Sequence, residues 1–232
     1  MNRTGMSTSE HADEMLQVPQ MTRPSHGNGE LKMEHAIYVK QTHTLGTVPR
    51  PSTAKGVLKA AGQALKGNRA LTLVDKAAER LAFERTGVRL YDAMIHKLDA
   101  ASSFAGGPSK ADVQAIRDEE LKHALMLSTA LEQLGADPTA LTPSADLVAM
   151  ESSGLGTVLA DPRTSVGQCL HALLVAELAD NEGWMLLRTL AEEMGHTDLA
   201  SRFAAAEEDE ERHLALVRTW LAAHTQAEAA IM

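Results

Sequence analysis

The sequence predicts an all-α protein whose core is a four-helix bundle with one long crossover connection. Ala and Leu must supply most of the apolar surface, because 44% of the 232 residues are hydrophobic and aromatic residues make up only 3%. Both residue types favour helix. Four long segments repeat apolar residues at helical spacing. The links within each pair of segments are short, whereas the link between the pairs is roughly 30 residues long, as a crossover along a bundle requires.

Charge and cysteine content exclude several classes of protein. The net charge of −9 argues against a nucleic-acid partner, which usually meets a basic face. The single cysteine, Cys169, excludes a disulfide framework, a four-cysteine zinc site and an appended rubredoxin-type iron site, and it favours a cytoplasmic location. The first residues lack the apolar stretch of a secretory signal. No apolar run is long enough for a membrane span, so we expect no stable membrane insertion.

Three regions are expected along the chain. Residues 1–50 are rich in Thr, His, Gly, Pro and Met without a steady period, and we predict a mobile or disordered tail. Within residues 51–68 we predict a short amphipathic helix, with an apolar side formed by Val57, Leu58 and Leu65. Residues 69–226 are predicted to form the bundle.

Start and stop signals delimit the four predicted bundle helices, A to D. In chain order they are expected at about 70–100, 109–134, 165–194 and 197–224. Ser109 and Asp112 match a capping box at the start of helix B, and Gly135 is a stop signal after it. Gly195 likewise ends helix C. The short A–B and C–D links predict antiparallel neighbours.

Each predicted helix carries a glutamate in the middle of an otherwise apolar stripe. In chain order these are Glu84, Glu120, Glu177 and Glu210. On helices B and D a histidine, His123 or His213, follows three residues later, where it shares a face with the glutamate. A buried carboxylate is costly unless it is paired or bound to a metal. Two divalent cations would balance four such carboxylates, so the sequence predicts a dinuclear metal site.

The order of these residues repeats in the two halves of the chain, which argues against chance. Each half has a lone glutamate followed by a Glu-x-x-His motif. A third Glu-x-x-His, Glu193 to His196, spans the helix stop at Gly195 and is not expected to face the core. The alternative, in which the acids lie on solvated faces, requires a different rotation of all four helices.

The pattern resembles that of the ferritin-like superfamily of di-iron carboxylate proteins, such as bacterioferritin and rubrerythrin. The resemblance covers about residues 70–225, and the long N-terminal segment departs from a minimal ferritin. It implies a ferritin-like fold and a centre of two iron ions, with manganese as the alternative. It also implies six ligands, two of which, Glu120 and Glu210, bridge the metals; the others are Glu84, His123, Glu177 and His213.

Residues next to these ligands are further candidates. In bacterioferritin-like sites the acid before each Glu-x-x-His bonds the opposite histidine, so the resemblance implies this role for Glu119 and Asp209; solvated charges are the alternative. Tyr91, two turns after Glu84, is predicted to hydrogen-bond a ligand, to carry an oxidising equivalent, or to be an ordinary core tyrosine. Trp184 is expected to be a core residue.

Two polar residues of helix C complete the candidates. Asp180 resembles the additional carboxylate of rubrerythrin-like sites, although we favour an ordinary exposed aspartate. Asn181 is the better placed polar neighbour on the stripe of helix C.

The sequence leaves three functions open. The first is iron handling, in which O₂ or peroxide is reduced as Fe²⁺ is oxidised. The second is a di-iron or di-manganese oxidase, oxygenase or peroxidase that acts on a small substrate with an external electron donor. The third is an interaction module with structural metals, in which the first 66 residues bind a partner. A homo-oligomer is expected, either a dimer that buries helices A and B or a larger assembly.

Overall fold

A computed structural model describes residues 29–43, 45–51, 54–58 and 68–230, and the regular secondary structure within these ranges is entirely helical. Its main helices, in chain order, are α1 Gly29–Gln41, α2 Asn68–Ala100, α3 Lys110–Leu134, α4 Pro143–Ala160, α5 Val166–Glu193 and α6 Thr197–Ala230. Helix α1 belongs to a first compact unit, residues 1–45, and α2–α6 belong to a second, residues 46–232. Among the described residues, no helix is long and apolar enough to cross a membrane.

Helices α2, α3, α5 and α6 form a four-helix bundle, which confirms the predicted fold class. Helix α2 packs along α3, and α5 packs along α6, as two hairpins. The hairpins meet where α2 contacts α5 and α3 contacts α6. The predicted helices A to D are these four elements, and the last of them continues to Ala230 rather than ending near residue 224.

The predicted end signals of helix B are present around α3. The Ser109 side chain accepts a hydrogen bond from the Asp112 backbone N–H, and the Asp112 carboxylate accepts one from the Ser109 backbone N–H. At the other end Gly135 adopts a left-handed conformation with φ of 86°, which glycine tolerates because it has no Cβ. Gly195 takes the same role after α5, with φ of 75°.

The crossover between the hairpins contains a helix, α4, that the sequence analysis did not predict. Thr142 caps its start by accepting a hydrogen bond from the Ala145 backbone N–H. Pro143 occupies the first helical position, where its missing N–H and fixed φ suit a helix start. The helix packs mainly against α2 and also against α5, so the crossover covers one side of the bundle.

The structure describes the N-terminal segments only in part. Helix α1 lies within the segment predicted to be a tail. Its residues from Lys32 onward are all exposed, and the apolar side chains among them form no stripe, so periodicity gave no signal there. Residues 54–58 of the predicted short helix are helical, with Val57 and Leu58 exposed. Residues 1–28 and Leu65 lie outside the described residues.

The core of the bundle consists of two apolar clusters separated by a polar layer. One cluster includes Leu73, Leu127, Leu187 and Phe203, and the other includes Met94, Ile116, Leu170 and Val217. Each of the four bundle helices contributes to both clusters. On each helix the glutamate singled out in the sequence lies near the level where the two clusters meet.

Candidate metal centre

The polar layer of the bundle contains one buried glutamate from each helix. None of the four is more than 2% exposed; from α2, α3, α5 and α6 in turn they are Glu84, Glu120, Glu177 and Glu210. On α3 and α6 the buried side chains of His123 and His213 lie one turn further along the same face. The structure therefore brings together all six residues that were predicted to be ligands.

Both imidazoles turn their Nδ1 atoms toward the carboxylates. His123 Nδ1 lies 2.7 Å from Glu210 Oε1 and 3.5 Å from Glu84 Oε2. His213 Nδ1 lies 3.0 Å from Glu210 Oε2 and 3.8 Å from Glu120 Oε1. Glu210 thus lies between the imidazoles with one oxygen facing each, which is the placement a bridging carboxylate needs.

The other ring nitrogen of each histidine meets an acid that precedes the opposite Glu-x-x-His. His123 Nε2 lies 3.3 Å from Asp209 Oδ2, and His213 Nε2 lies 2.8 Å from Glu119 Oε2. Arg212 joins the two acids, because its guanidinium donates to Asp209 Oδ1 at 2.8 Å and to Glu119 Oε2 at 2.9 Å. A histidine held at Nε2 by an acid presents Nδ1 as a metal-binding atom.

Two aromatic donors hold the glutamates of α2 and α5. The Tyr91 hydroxyl donates to Glu177 Oε1. The Trp184 indole N–H donates to Glu84 Oε1 at 2.8 Å. Both rings are at most 1% exposed. Trp184 is therefore more than the core residue that was expected, and the signal that could have found it is its position seven residues after Glu177, as Tyr91 follows Glu84.

Asn181 lies beside the glutamates but contacts their backbone rather than their carboxylates. Its side-chain amide donates to the carbonyl oxygens of Glu177 at 2.9 Å and Glu210 at 3.0 Å. The residue thus joins α5 to α6 at the level of the polar layer.

Asp180 corrects the interpretation that was favoured from the sequence, because it is buried rather than exposed. It is 2% exposed and forms an ion pair with Arg80, which is 3% exposed. Arg80 Nη1 donates both to the Asp180 carboxylate and, at 3.1 Å, to its backbone carbonyl. Buried charges persist when they are paired in this way. The sequence analysis missed Arg80, which lies one turn before Glu84 on α2.

Gly87, which has no side chain, leaves room for the carboxylate of Glu120. A Cβ added at Gly87 would lie 2.1 Å from Glu120 Oε2 and 2.7 Å from its Cδ. Glycine in the interior of a helix costs about 0.5–1 kcal/mol relative to alanine. The carboxylate of Glu120 occupies the space that this glycine leaves.

In the absence of metal ions, the electrostatics of the layer favour bound protons. Burial and the neighbouring carboxylates raise the pKa of Glu120 well above its usual range, and burial and Glu210 raise the pKa of Glu177 to about 8. Burial opposes the charge of His123 and His213, but the adjacent carboxylates raise their pKa values to about 10 and about 9. Burial also acts to raise the pKa of Glu210, but the two imidazoles outweigh it and lower that pKa to about 2.

The donor atoms group as two metal positions would require. Three sets have all their donor atoms within 4.8 Å of one another: Glu120, Glu177, Glu210 and His213; Glu84, His123 and Glu210; and Glu84, Glu120, Asp180 and Glu210. Glu210 belongs to both sets that contain a histidine. Glu84, Glu120 and Glu177 each have a buried oxygen without a hydrogen-bond partner in the described part of the chain, and Glu210 Oε1 and His123 Nδ1 face each other at 2.7 Å. Buried carboxylate oxygens and imidazole nitrogens that converge with few hydrogen-bond partners fit a dinuclear metal site.

Comparisons with known proteins concern the fold. A solved structure described as a ferritin-like, diiron-carboxylate protein from Bacillus anthracis str. Ames matches with a TM-score of 0.50 and 17% sequence identity. The match covers 67% of this chain and 99% of that chain. No family model matches the sequence, and no curated protein matches it significantly. The ferritin-like fold expected from the sequence is therefore confirmed.

Proposed function

We propose that this protein binds two iron ions in the polar layer and couples the oxidation of Fe²⁺ to the reduction of O₂ or peroxide. The observation that carries the proposal is the convergence of four buried carboxylates and two imidazole Nδ1 atoms, several of them without a hydrogen-bond partner. A set of four carboxylates and two imidazoles suits iron or manganese better than copper or structural zinc. The structural match to a diiron-carboxylate protein supports the same choice.

The residues of the chain have separable parts in this chemistry. Two irons, when bound, supply the two electrons that reduce peroxide or begin the reduction of O₂. Glu119 and Asp209 hold Nε2 of the two histidines, so that Nδ1 is the atom that would bind metal once its proton is displaced. Glu120 and Glu177 hold protons in the metal-free layer, and metal binding displaces them.

The route to the layer is proposed to pass the face formed by α3 and α6. Glu119 and Asp209 are partly exposed there, and each contacts one of the two histidines. Arg212 lies outside them and is about half exposed. Fe²⁺ is thereby drawn toward two acids that lead directly to the imidazoles, and movement of Arg212 would free them.

We also propose that the protein forms a homo-oligomer and that, if it acts as an enzyme, an external electron donor reduces it. Leu121 and Leu125 of α3 are exposed by 38% and 61%, and they offer an apolar contact for a second copy. The crossover helix α4 covers part of α2, so a dimer interface would rely more on α3 than on α2.

The test is an anaerobic Fe²⁺ titration followed by a pulse of O₂, with iron bound per chain measured by calorimetry and the iron oxidation state by Mössbauer spectroscopy. We expect saturation near two irons per chain. Glu120→Ala should abolish this, whereas Glu132→Ala, an exposed glutamate on the same helix, should not. Continued oxidation of added Fe²⁺ with growing mineral supports iron handling. A single stoichiometric oxidation contradicts it and favours a di-iron enzyme that awaits a substrate and a reductant.

A further inference from the structure

A fifth carboxylate, that of Asp180, lies against the polar layer and is already paired with a cation. One of its oxygens lies within 4.8 Å of donor atoms from three of the glutamates: Glu84, Glu120 and Glu210. The Arg80 guanidinium forms an ion pair with the same carboxylate, and both side chains are only 3% exposed. Water therefore screens this pair little, and the charge of Arg80 acts on the polar layer.

The position of the Arg80 guanidinium is set by the packing around it. It also donates a hydrogen bond to the backbone carbonyl of Asp180, and it lies over the ring of Phe83, 4.5 Å from the centroid. On α5 a Cβ added at Gly183 would lie 2.6 Å from Arg80 Cζ, so the guanidinium occupies the space that this glycine leaves. The positive charge therefore has a fixed place beside the layer, one turn before Glu84 on α2.

The buried charges balance when Arg80 is counted together with two divalent cations. Fully ionised, the four buried glutamates and Asp180 carry five negative charges. Two divalent cations supply four positive charges, the guanidinium supplies the fifth, and imidazoles that bind metal are neutral. Because uncompensated buried charge is costly, Arg80 takes the place of positive charge that metal ions would otherwise supply.

We propose that Arg80 is a positioning residue that acts on the metals through Asp180. It holds this carboxylate away from the metal ions and opposes their charge with its own, so the layer binds divalent cations less tightly than its carboxylates alone would. The inference rests on the dinuclear site of the proposed function, but not on what the metals oxidise. In a protein that handles iron, weaker binding would let the ions leave after oxidation.

The experiment measures the affinity of the full chain for Mn²⁺ without oxygen, by competition with a metal-sensitive dye at about pH 8, where few protons compete with the metal. The native chain is expected to bind two ions. Arg80→Met keeps an apolar stem over Phe83 but leaves Asp180 unpaired beside the metals, so binding should tighten at least about tenfold. Arg85→Met removes the same charge from an exposed position on α2 and should change the affinity less than about threefold.

Two further variants separate this role from a purely structural one and from direct ligation by Asp180. Asp180→Asn keeps an oxygen that accepts from Arg80 but leaves the guanidinium uncompensated, so binding should weaken at least about tenfold. Combining Arg80→Met with Asp180→Asn removes both charges and should tighten binding at least about fivefold relative to Asp180→Asn alone. A double variant that binds no more tightly than Asp180→Asn would overturn the proposal, because Asp180 would then act as a ligand itself.

The stability of the variants is the necessary control. Breaking a buried ion pair is destabilising, so Arg80→Met is expected to melt at a lower temperature than the native chain when metal is absent. If it does not fold, the comparison of Asp180→Asn with the double variant, which buries no unpaired charge, still decides the question.

The same titrations distinguish this inference from the proposed function. A native chain that binds no Mn²⁺ would overturn both. If the native chain binds two ions and folded Arg80→Met binds them no more tightly, the dinuclear site is supported and only the role of Arg80 is overturned.

Discussion

Trp184 and Tyr91 occupy equivalent positions in the two halves of the bundle and exchange their hydrogen bonds across it. Each lies seven residues, or two turns, after the glutamate of its own helix, and each donates to the glutamate of the other helix. The pair is chemically unequal, because an indole only donates whereas a phenol can also accept or release a proton. The two halves of the polar layer therefore share a backbone plan but differ in the group that donates a hydrogen bond to the glutamate of the opposite hairpin.

Trp184→Phe is expected to weaken metal binding at the position served by Glu84. The ring is kept, but the carboxylate loses its N–H donor, and loss of such a partner typically lowers metal affinity about 10–100-fold. Trp220→Phe is the matched control, because Trp220 is also buried but belongs to the apolar cluster. Competition with a metal-sensitive dye gives both affinities. Equal affinities for the two variants would show that the hydrogen bond does not support the site.

Tyr91→Phe is expected to affect the other metal position, because Glu177 loses its donor. One metal should still bind tightly and the second should bind about 10–100-fold more weakly. The predicted redox role of Tyr91 has its own measurement, since a tyrosyl radical formed after O₂ exposure would give an electron paramagnetic resonance signal that the variant lacks. If both metals bind the variant as tightly as the native chain, Tyr91 does not support Glu177.

Gly87→Ala is expected to separate metal binding from helix stability. The new Cβ would occupy the space of the Glu120 carboxylate, so we expect at least about tenfold weaker metal binding. Alanine favours the helix by up to about 1 kcal/mol, so the metal-free protein should not lose comparable stability. Gly154→Ala, where nothing lies within 4 Å of the added Cβ, should leave metal binding unchanged. Unchanged metal affinity in Gly87→Ala would show that the Glu120 carboxylate does not need the space beside Gly87 to bind metal.

The polar layer could be predicted from the sequence because helical spacing places four glutamates on stripes that are otherwise apolar: Glu84, Glu120, Glu177 and Glu210. A charged residue on an apolar stripe has few alternatives to burial once the bundle forms, so its position predicts its neighbours. Helix α4 was missed because the link of roughly 30 residues was interpreted only as a connection, although Pro143 at the first helical position starts a helix well.

The pairing of Arg80 with Asp180 was not accessible in the same way. The two residues are 100 positions apart, and a charged residue beside a stripe is ordinarily solvated. Burial of the pair depends on Gly183, where an added Cβ would lie 2.3 Å from Arg80 Nη1, and on a crossover helix that covers α2. Both are properties of the packed structure.

The stability of the metal-free protein is expected to fall as pH rises, while that of the metal-loaded protein does not. Glu177 has a folded pKa of about 8 against an ordinary value of 4.5, so its contribution is fully present below 4.5 and is lost as pH rises through 8. His123 acts in the same direction, between its ordinary value of 6.5 and about 10. Glu210, lowered to about 2, acts in the opposite direction only below its ordinary value of 4.5. Metal ions compete with these protons, so their stabilising effect should grow with pH.

Differential scanning calorimetry of chelator-treated and Mn²⁺-loaded protein between about pH 5 and 8 measures the difference in their melting temperatures. Mn²⁺ is used because it avoids oxidation during the scan. We expect the difference in melting temperature to widen toward pH 8. Glu177→Gln removes one titrating group and should flatten the pH dependence of the metal-free protein. A difference in melting temperature that stays constant or narrows as pH rises would contradict this prediction. Protons and metal ions would then not be competing for the same buried carboxylates and imidazoles.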